Sequence, residues 1–164
     1  MWSSNRRTFL LTGGALGLSA CGFTPAYGPQ GGAAKLLNGV SPDAPDSPDA
    51  FELVTHLQAR LGPANPARYR LGYRIETTAA GQGISPDNAT TRYQLTGTVD
   101  YTLRDAASDA VLLTGRVNSF TSWSTTGTIV ATQSAEQDAH RRLMRILGDQ
   151  IVTRLLAQAS SLPQ

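Results

Sequence analysis

Cysteine and histidine are scarce in this sequence, and their scarcity excludes several classes of site. Among 164 residues there are one cysteine, Cys21, and two histidines, His56 and His140. A lone cysteine can form neither an intramolecular disulfide nor a CxxC metal site. The two histidines lie 84 residues apart, and neither has a second histidine at metal-ligand spacing. We therefore predict a protein without a metal site.

The motifs of nucleophilic and nucleotide-dependent enzymes are missing as well. The sequence has no nucleophile-elbow pattern, and Gly81-Gln82-Gly83 lacks the rest of a phosphate-binding loop. Glu136 and His140 are one helical turn apart, which fits a catalytic pair or, far more often, a surface ion pair. The sequence predicts a protein that is not an enzyme and needs no cofactor.

The N-terminus has an apolar run that is too short to cross a bilayer. Phe9–Ala20 has 12 residues, whereas a membrane-spanning helix needs roughly 20. Arg6 and Arg7 precede this run, and a basic region followed by an apolar region is the layout of a secretory signal. The two arginines also fit twin-arginine export, so the choice between that route and the Sec route stays open. We assign residues 1–20 to an export signal that is removed.

The residues just before Cys21 resemble the lipobox of bacterial lipoproteins. In that motif Leu18, Ser19 and Ala20 precede the thiol that receives diacylglycerol before cleavage. The alternative is a plain signal peptide followed by an ordinary buried thiol. A lipobox explains why an exported protein has a single free thiol. It predicts a mature chain that begins at Cys21 and is anchored in a membrane by acyl chains.

Removal of the signal also removes the net charge. The sequence has 14 basic and 12 acidic residues. Because Arg6 and Arg7 lie in the signal, the mature chain keeps 12 residues of each sign. The excess of basic residues is therefore no evidence for nucleic-acid binding, and we expect no nucleic-acid partner. Any electrostatic function must come from local clusters of charge.

Composition divides the mature chain into a tether and one domain. Residues 21–34 are rich in glycine and proline, which predicts a lipidated, flexible tether with a reach of roughly 20 Å. Residues 35–164 are long enough for one compact domain and too short for two. We expect the tether to hold this domain just off the membrane surface.

Two segments of the domain have helical periodicity. The first begins at Ser47-Pro48, where a hydroxyl cap precedes a first-turn proline, and ends at Gly62-Pro63. The second begins between Thr128 and Ser134, where Ser134 offers a capping-box start, and ends near Gln158. Both have an apolar stripe, formed by Phe51, Val54, Leu57 and Leu61 in the first and by Ala135, Ala139, Leu143, Ile146, Leu147, Ile151 and Leu155 in the second.

Three segments alternate apolar and polar residues, which is the period of a half-buried strand. A short apolar stretch, Lys35–Val40, is a fourth candidate strand, Gly81–Gly83 is assigned to a loop, and Asp105–Asp109 to a turn. The three alternating segments are Arg68–Thr78, Tyr93–Arg104 and Ala110–Trp123, with Val111, Leu113 and Val117 predicted to point inward from the last.

The order of these elements predicts a two-layer α+β sandwich. Three strands joined by turns form an antiparallel meander, and a sheet with one apolar face needs helices to cover that face. We therefore expect two helices packed on one face of a mainly antiparallel four-stranded sheet.

Several stretches of the chain together resemble the LptE family of lipopolysaccharide-assembly lipoproteins, in its alphaproteobacterial form. The resemblance covers nearly all of the mature chain and departs at Ser122–Thr126. It implies two helices against a four-stranded sheet, in agreement with the periodicity. The matching segments are Cys21–Gly28, Arg92-Tyr93, Gly115–Val117, Ser119-Phe120, Ser134–Arg142 and Asp149–Leu155.

The resemblance also implies partners. Members of the family are plugs of a large β-barrel, LptD, with which they form a one-to-one complex that inserts lipopolysaccharide into the outer leaflet, and they are thought to bind lipopolysaccharide directly. Gly22, in place of the Asp that retains enteric lipoproteins at the inner membrane, favours the periplasmic side of the outer membrane. The alternative is a free periplasmic ligand-binding or transporter-accessory lipoprotein.

Arginines mark the candidate contact surface. Arg68, Arg70 and Arg74 share one side of a predicted strand, and the planar guanidinium group suits phosphorylated sugars because it donates two hydrogen bonds at once. A solvated strand face, or one that meets acidic residues of a barrel wall, would have the same pattern. Strand register decides whether three further residues join this surface: Arg92, Arg104 and Arg116.

Overall fold

The fold is a four-stranded sheet with helices on one face. The computed structural model describes residues 33–84, 90–125 and 127–162; the predicted signal, lipobox and Cys21 lie outside these ranges. The sheet has the order β1-β2-β3-β4, with β1 parallel to β2 and the other pairs antiparallel. The elements are α1 (Ala33–Leu36), β1 (Val40–Pro42), α2 (Pro48–Leu61), β2 (Tyr69–Ile84), β3 (Thr90–Asp105), β4 (Val111–Ser124), α3 (Ile129–Gln158) and a 3-10 helix (Ala159–Ser161).

The predicted two-layer α+β architecture is confirmed, with one correction at its start. The stretch Lys35–Val40 is not a strand: its first half belongs to the helical turn α1, and the strand begins at Val40. A short apolar run has no periodicity that separates a strand from a buried helical turn. Asn38, at φ 58°, ends the turn, and the buried side chain of Leu36 holds it against the core.

Helix α2 has the predicted start and end. The Ser47 hydroxyl accepts a hydrogen bond from the Ala50 N–H at 3.2 Å, and Gly62 follows the helix at φ 82°. Phe51, however, is 59% exposed, so its place on the buried stripe was wrong. Its side chain points about 100° away from the centre of the buried arc, which is formed by Ala50, Leu53, Val54, Leu57 and Leu61.

Strands β2 and β3 form a hairpin that is longer than predicted. Gly81–Gly83 is part of β2 rather than a loop, because the ladder continues past register shifts on either side of Gly83. At this end of the sheet the ring of Tyr93 stacks on that of Trp123, with centroids 5.2 Å apart. This contact between β3 and β4 fixes the end of the fourth strand, where the family resemblance is weakest.

One inward residue of β4 was placed on the wrong face. Leu113 pairs with Leu103, but the next pair is Arg104 with Val111, so the register shifts between them. A shift of one residue moves a side chain to the other face of a sheet. Val111 is consequently 52% exposed, whereas Val117 is buried as predicted.

Helix α3 covers the sheet along most of its length. It begins at the early limit of the predicted range, capped by the Thr128 hydroxyl, so Ser134 lies inside it and caps nothing. Ile146, predicted on the buried stripe, is 39% exposed, and Met144 is buried instead. The core lies between α3, α2 and the inner face of the sheet.

Candidate functional site

The outer face of the sheet, away from the helices, is built from the even-numbered residues of β2 and β3. Strand register brings the predicted arginines together there. Arg70 pairs with Arg104 across β2 and β3. Four residues further along β2, Arg74, Asp100 and Arg116 form a row across three strands. Strand register thus puts Arg104 and Arg116 on the same face as Arg70 and Arg74, and their role as contact residues stays a prediction.

Arg116 and Asp100 form a two-pronged ion pair on this face. The Arg116 Nε and Nη2 groups donate to the two Asp100 carboxylate oxygens at 2.6 and 2.8 Å. This hydrogen bond holds the pKa of the Asp100 carboxyl below its usual range, aided by the charges of Arg116 and Arg74, and it raises the pKa of Arg116. The guanidinium of Arg116 is thereby fixed in orientation rather than free to turn toward a ligand.

Two more arginines share an acidic partner. Arg70 and Arg104 would repel each other as direct cross-strand neighbours, but Asp109 lies 3.4 Å from a nitrogen of each. Arg70 also lies 3.7 Å from Asp43. Asp109 reaches this position from the turn after β3, where Asp105 accepts hydrogen bonds from the N–H and hydroxyl of Ser108.

The remaining arginines differ in their surroundings. Within the described residues, no ion pair involves Arg68, Arg74 or Arg92. Arg68 precedes β2, and its guanidinium carbon lies 5.9 Å from the centroid of the Tyr69 ring. Arg92 stands at the far end of β3, opposite Ser124. Arg74 and Arg92 therefore have donors that an anionic ligand could engage without first breaking an ion pair.

Hydroxyl groups and one aromatic ring complete the outer face, and the sequence argument did not single them out. Thr102 pairs with Thr114, and Thr96 lies between Thr78 and Phe120. Phe120 is 65% exposed. The sequence could have indicated this exposure. Phe120 is three residues after the inward Val117, and because successive side chains of a strand point to opposite faces, an odd spacing places Phe120 on the outer face.

A groove of about 760 Å³ lies on the helix side of the sheet. It opens where the N-terminal end of α2 and the first half of α3 diverge over β2. His140 Nδ1 lies 2.9 and 3.0 Å from the two Asp49 carboxylate oxygens. The residues that line the groove are Ser47, Pro48, Asp49, Phe51, Glu52, Ile75, Thr77, Glu136, Gln137, His140 and Arg141.

His140 does not form the pair that spacing alone suggested. The helical neighbour of His140 is Glu136, but its partner is Asp49 on the other helix. His56 Nε2 similarly lies 3.0 Å from the Asp149 carboxylate. Both histidines thus join α2 to α3. In the described ranges no group of three or more metal-binding side chains is found, and none of the helices there is long and apolar enough to cross a membrane.

Solved structures similar to this chain share its fold. A lipoprotein of Caulobacter crescentus matches at TM-score 0.66 and 20% identity, covering 80% of this chain and 98% of its own. The rare lipoprotein B of Shewanella oneidensis matches at TM-score 0.55 and 11% identity, covering 75% and 96%. A minor lipoprotein of Acinetobacter baumannii matches at TM-score 0.55 and 21% identity, covering 74% and 92%. Comparison with curated proteins gives no match.

The family is shown by the sequence itself. The family model described as LptE, lipopolysaccharide-assembly, matches residues 40–155. This range begins at β1 and ends within α3, so it contains the whole sheet and its covering helices. The protein therefore belongs to the LptE family of lipopolysaccharide-assembly lipoproteins.

Proposed function

We propose that this protein is an outer-membrane lipoprotein that assists lipopolysaccharide assembly as the plug and one-to-one partner of a large LptD-like β-barrel. Membership of the LptE family over residues 40–155 is the observation that carries this proposal. The family is non-enzymatic, so the work of the protein is to bind and to position rather than to catalyse.

Cys21 is the proposed anchor, on the periplasmic side of the outer membrane. The sequence signal is the lipobox Leu18-Ser19-Ala20 ahead of the only cysteine. The predicted tether, residues 21–34, would then give the domain a reach of roughly 20 Å from the bilayer. Replacement of the thiol, Cys21→Ser, should leave an uncleaved precursor. Intact-mass spectrometry that shows normal processing of this variant would rule out the anchor.

The outer face of the sheet is the proposed contact with lipopolysaccharide or with the barrel. Six arginines were predicted there, and the structure supports unequal roles for them. Arg70, Arg104 and Arg116 are engaged by aspartates, whereas Arg74 and Arg92 have no ion pair within the described residues. Charge-assisted hydrogen bonds to phosphate contribute more than neutral ones, so we assign the strongest contacts to Arg74 and Arg92.

The test of the function is a pull-down of the full-length tagged protein from detergent-solubilised outer membranes. Recovery of a large β-barrel at one-to-one stoichiometry is the expected result. Recovery of the lipoprotein alone, under conditions that keep other outer-membrane complexes intact, would contradict the plug and favour a free ligand-binding lipoprotein. The groove beside α2 is the feature that such a ligand would use.

A second measurement tests the outer face by itself. Binding of lipopolysaccharide to the purified full chain should fall by about tenfold or more in each of the single variants Arg74→Gln and Arg92→Gln, since a lost charged hydrogen bond costs about 1.5–3 kcal/mol. The matched control is Arg145→Gln, which removes the same single charge. Arg145 is exposed and has no ion pair within the described ranges, but it lies on α3. An equal loss of lipopolysaccharide binding in the control and in the outer-face variants would show that binding depends on net charge alone.

A further inference from the structure

Along more than half of its length, strand β2 has an edge with no neighbouring strand among the described residues. Strand β1 pairs only with Tyr69–Leu71, and beyond Leu71 no other described strand pairs with β2 on that side. The Tyr69 N–H donates to the Gly39 carbonyl, and the Leu71 carbonyl accepts from the Asp43 N–H. Odd-numbered residues of β2 therefore direct their backbone groups toward this edge.

The open edge continues without interruption to the end of the regular ladder. The pairing of β2 with β3 has no register shift between Tyr69 and Gly81. The backbone N–H and C=O groups of four residues consequently point away from β3, and no partner is present for them in the described structure: Tyr73, Ile75, Thr77 and Ala79.

Within the described part of the chain, this edge lacks the features that usually protect one. Natural sheets shield long edges with proline, inward-pointing charges, bulges or a covering segment. Between Tyr73 and Ala79 there is no proline and no bulge, and the two charged residues, Arg74 and Glu76, are even-numbered and lie on the outer face. At about 3.3 Å per residue the exposed ladder is roughly 20 Å long, which is enough to pair with a full strand.

The groove described above lies directly beside the edge. Ile75 and Thr77, whose edge-facing backbone groups have no partner among the described residues, also line the groove. Phe51 lies on the other side of the groove with 59% of its surface exposed. A strand added to β2 would direct alternate side chains toward the helices, and these side chains would enter the groove. The edge therefore offers backbone hydrogen bonds and a side-chain site in the same place, which is the arrangement used in strand addition.

The surroundings of the edge are acidic. The groove is lined by Asp49, Glu52 and Glu136, and a smaller cavity beside Tyr73 is lined by Asp43 and Asp46. Burial and then the charges of Asp46 and Asp43 raise the pKa of the Tyr73 hydroxyl, which donates a hydrogen bond to the Asp43 carbonyl at 3.2 Å.

Three arginines oppose these five carboxylates, and one of them, Arg70, lies 3.7 Å from Asp43. The other two, Arg74 and Arg141, line the cavities, and the His140 ring contacts Asp49. An excess of negative charge along the edge favours a positively charged partner.

We propose that the edge of β2 from Tyr73 to Ala79 binds, by strand addition, an extended segment of a partner protein in which lysine or arginine residues alternate with apolar residues. A second copy of this chain would bring the same carboxylates to the interface and be repelled. The chain's own residues 22–34 contain neither lysine nor arginine, so charge does not favour them. This inference does not depend on the proposed barrel partnership.

The test uses the full chain in a non-ionic detergent and a synthetic octapeptide that alternates valine with lysine. Amide hydrogen exchange measured by NMR should slow by about tenfold or more at Tyr73, Ile75, Thr77 and Ala79. Even-numbered neighbours should not change, because β3 already protects their amides. A matched peptide that alternates valine with glutamate should bind at least about tenfold more weakly.

Two variants separate strand addition from general charge attraction. Thr77→Pro removes an N–H that faces the edge and leaves the ladder with β3 intact, so it should abolish the exchange pattern, whereas Thr77→Val should keep it. If the proline variant does not fold, Glu52→Lys combined with Glu136→Lys serves in its place, since it should weaken peptide binding about tenfold or more.

Several outcomes would overturn the inference. Equal binding of the two peptides, or peptide binding without the alternating exchange pattern, would show that the edge is not used. Protection of the four amides without peptide would show a different occupant. That occupant would be a second copy if protection rises with protein concentration, and a segment of the same chain if it does not.

Discussion

The two faces of the sheet are made by alternate residues of the same strands, and they obey different constraints. On the inner face Leu71, Leu103 and Val99 are fully buried under the helices. On the outer face their chain neighbours are arginine, aspartate and threonine in solvent. The side chains of the inner face must pack closely against the helices, so these residues determine the fold. The outer face carries side chains that the fold does not need, and these are available for binding.

The two faces should differ most in how far truncation of a large side chain lowers the free energy of unfolding. Leu147→Ala should lower the free energy of unfolding by about 2–5 kcal/mol, because Leu147 is fully buried and its loss leaves a cavity. Phe120→Ala on the outer face should cost about 0.5 kcal/mol or less. Urea denaturation of both variants measures this contrast. A loss of similar size in both would mean that the outer face is covered in the free protein.

Glycine-to-alanine substitutions compare the two faces a second time, with the addition of only one methyl group. A Cβ at Gly97 would lie 2.8 Å from Leu143 Cδ2 and 3.1 Å from Leu147 Cδ1, between the sheet and α3. Gly97→Ala should therefore lower the free energy of unfolding by about 1–3 kcal/mol.

Gly72→Ala is the matched control on the outer face. The nearest atom there is Asp43 Oδ2 at 3.3 Å, at the end of a side chain that can move. We expect a change in thermal midpoint close to zero for this variant. A greater loss than in Gly97→Ala would contradict the packing of α3 on β3.

Strand β4 allows the same comparison within one strand. Leu113 and Val111 are both branched apolar residues two positions apart, but the register shift places Leu113 against the core and Val111 in solvent. Leu113→Thr should lower the free energy of unfolding by about 1–2 kcal/mol, and Val111→Thr by about 0.5 kcal/mol or less. Equal effects in chemical denaturation would show that the shift is absent in solution.

The smallest effect is expected from the ion pair on the outer face. The pKa of Asp100 is lowered in the folded protein, so its contribution to stability is present above the unfolded pKa of about 3.9 and is lost as pH falls through the lower folded value. An NMR titration of the Asp100 carboxyl should show this low pKa, and Arg116→Gln should return it toward the ordinary value. An unchanged pKa in that variant would assign the shift to another group.

Much of the architecture follows from local patterns. The alternation of Tyr93 to Arg104 and the apolar stripe of α3 predicted the strands and the long helix, because burial on one side of a regular element leaves its period in the sequence. The cap of α2 was also readable, since a serine directly before a proline, as at Ser47 and Pro48, is typical of a helix start. The errors in assigning secondary structure fell on Lys35–Val40 and Gly81–Gly83, where the segments are short or rich in glycine and have no clear period.

The sequence predicted only part of the candidate site, because the site depends on contacts between separate strands and helices. Arginines at alternate positions predicted one face of β2, but the row of Arg74, Asp100 and Arg116 depends on the register of three strands. The groove could not be foreseen either. The groove forms where Phe51 points away from the core and His140 pairs with Asp49 on another helix. Both features depend on the packing of elements that are distant in sequence.

The sequence alone determined the order and type of the main elements and the family. Those properties depend on neighbours a few residues apart along the chain. Tertiary structure decided which arginines are held by aspartates, where β4 changes face, and that β2 keeps an open edge beside an acidic groove. These features depend on which backbone groups and charges meet across separate strands and helices, and the spacing of residues within one segment does not encode that.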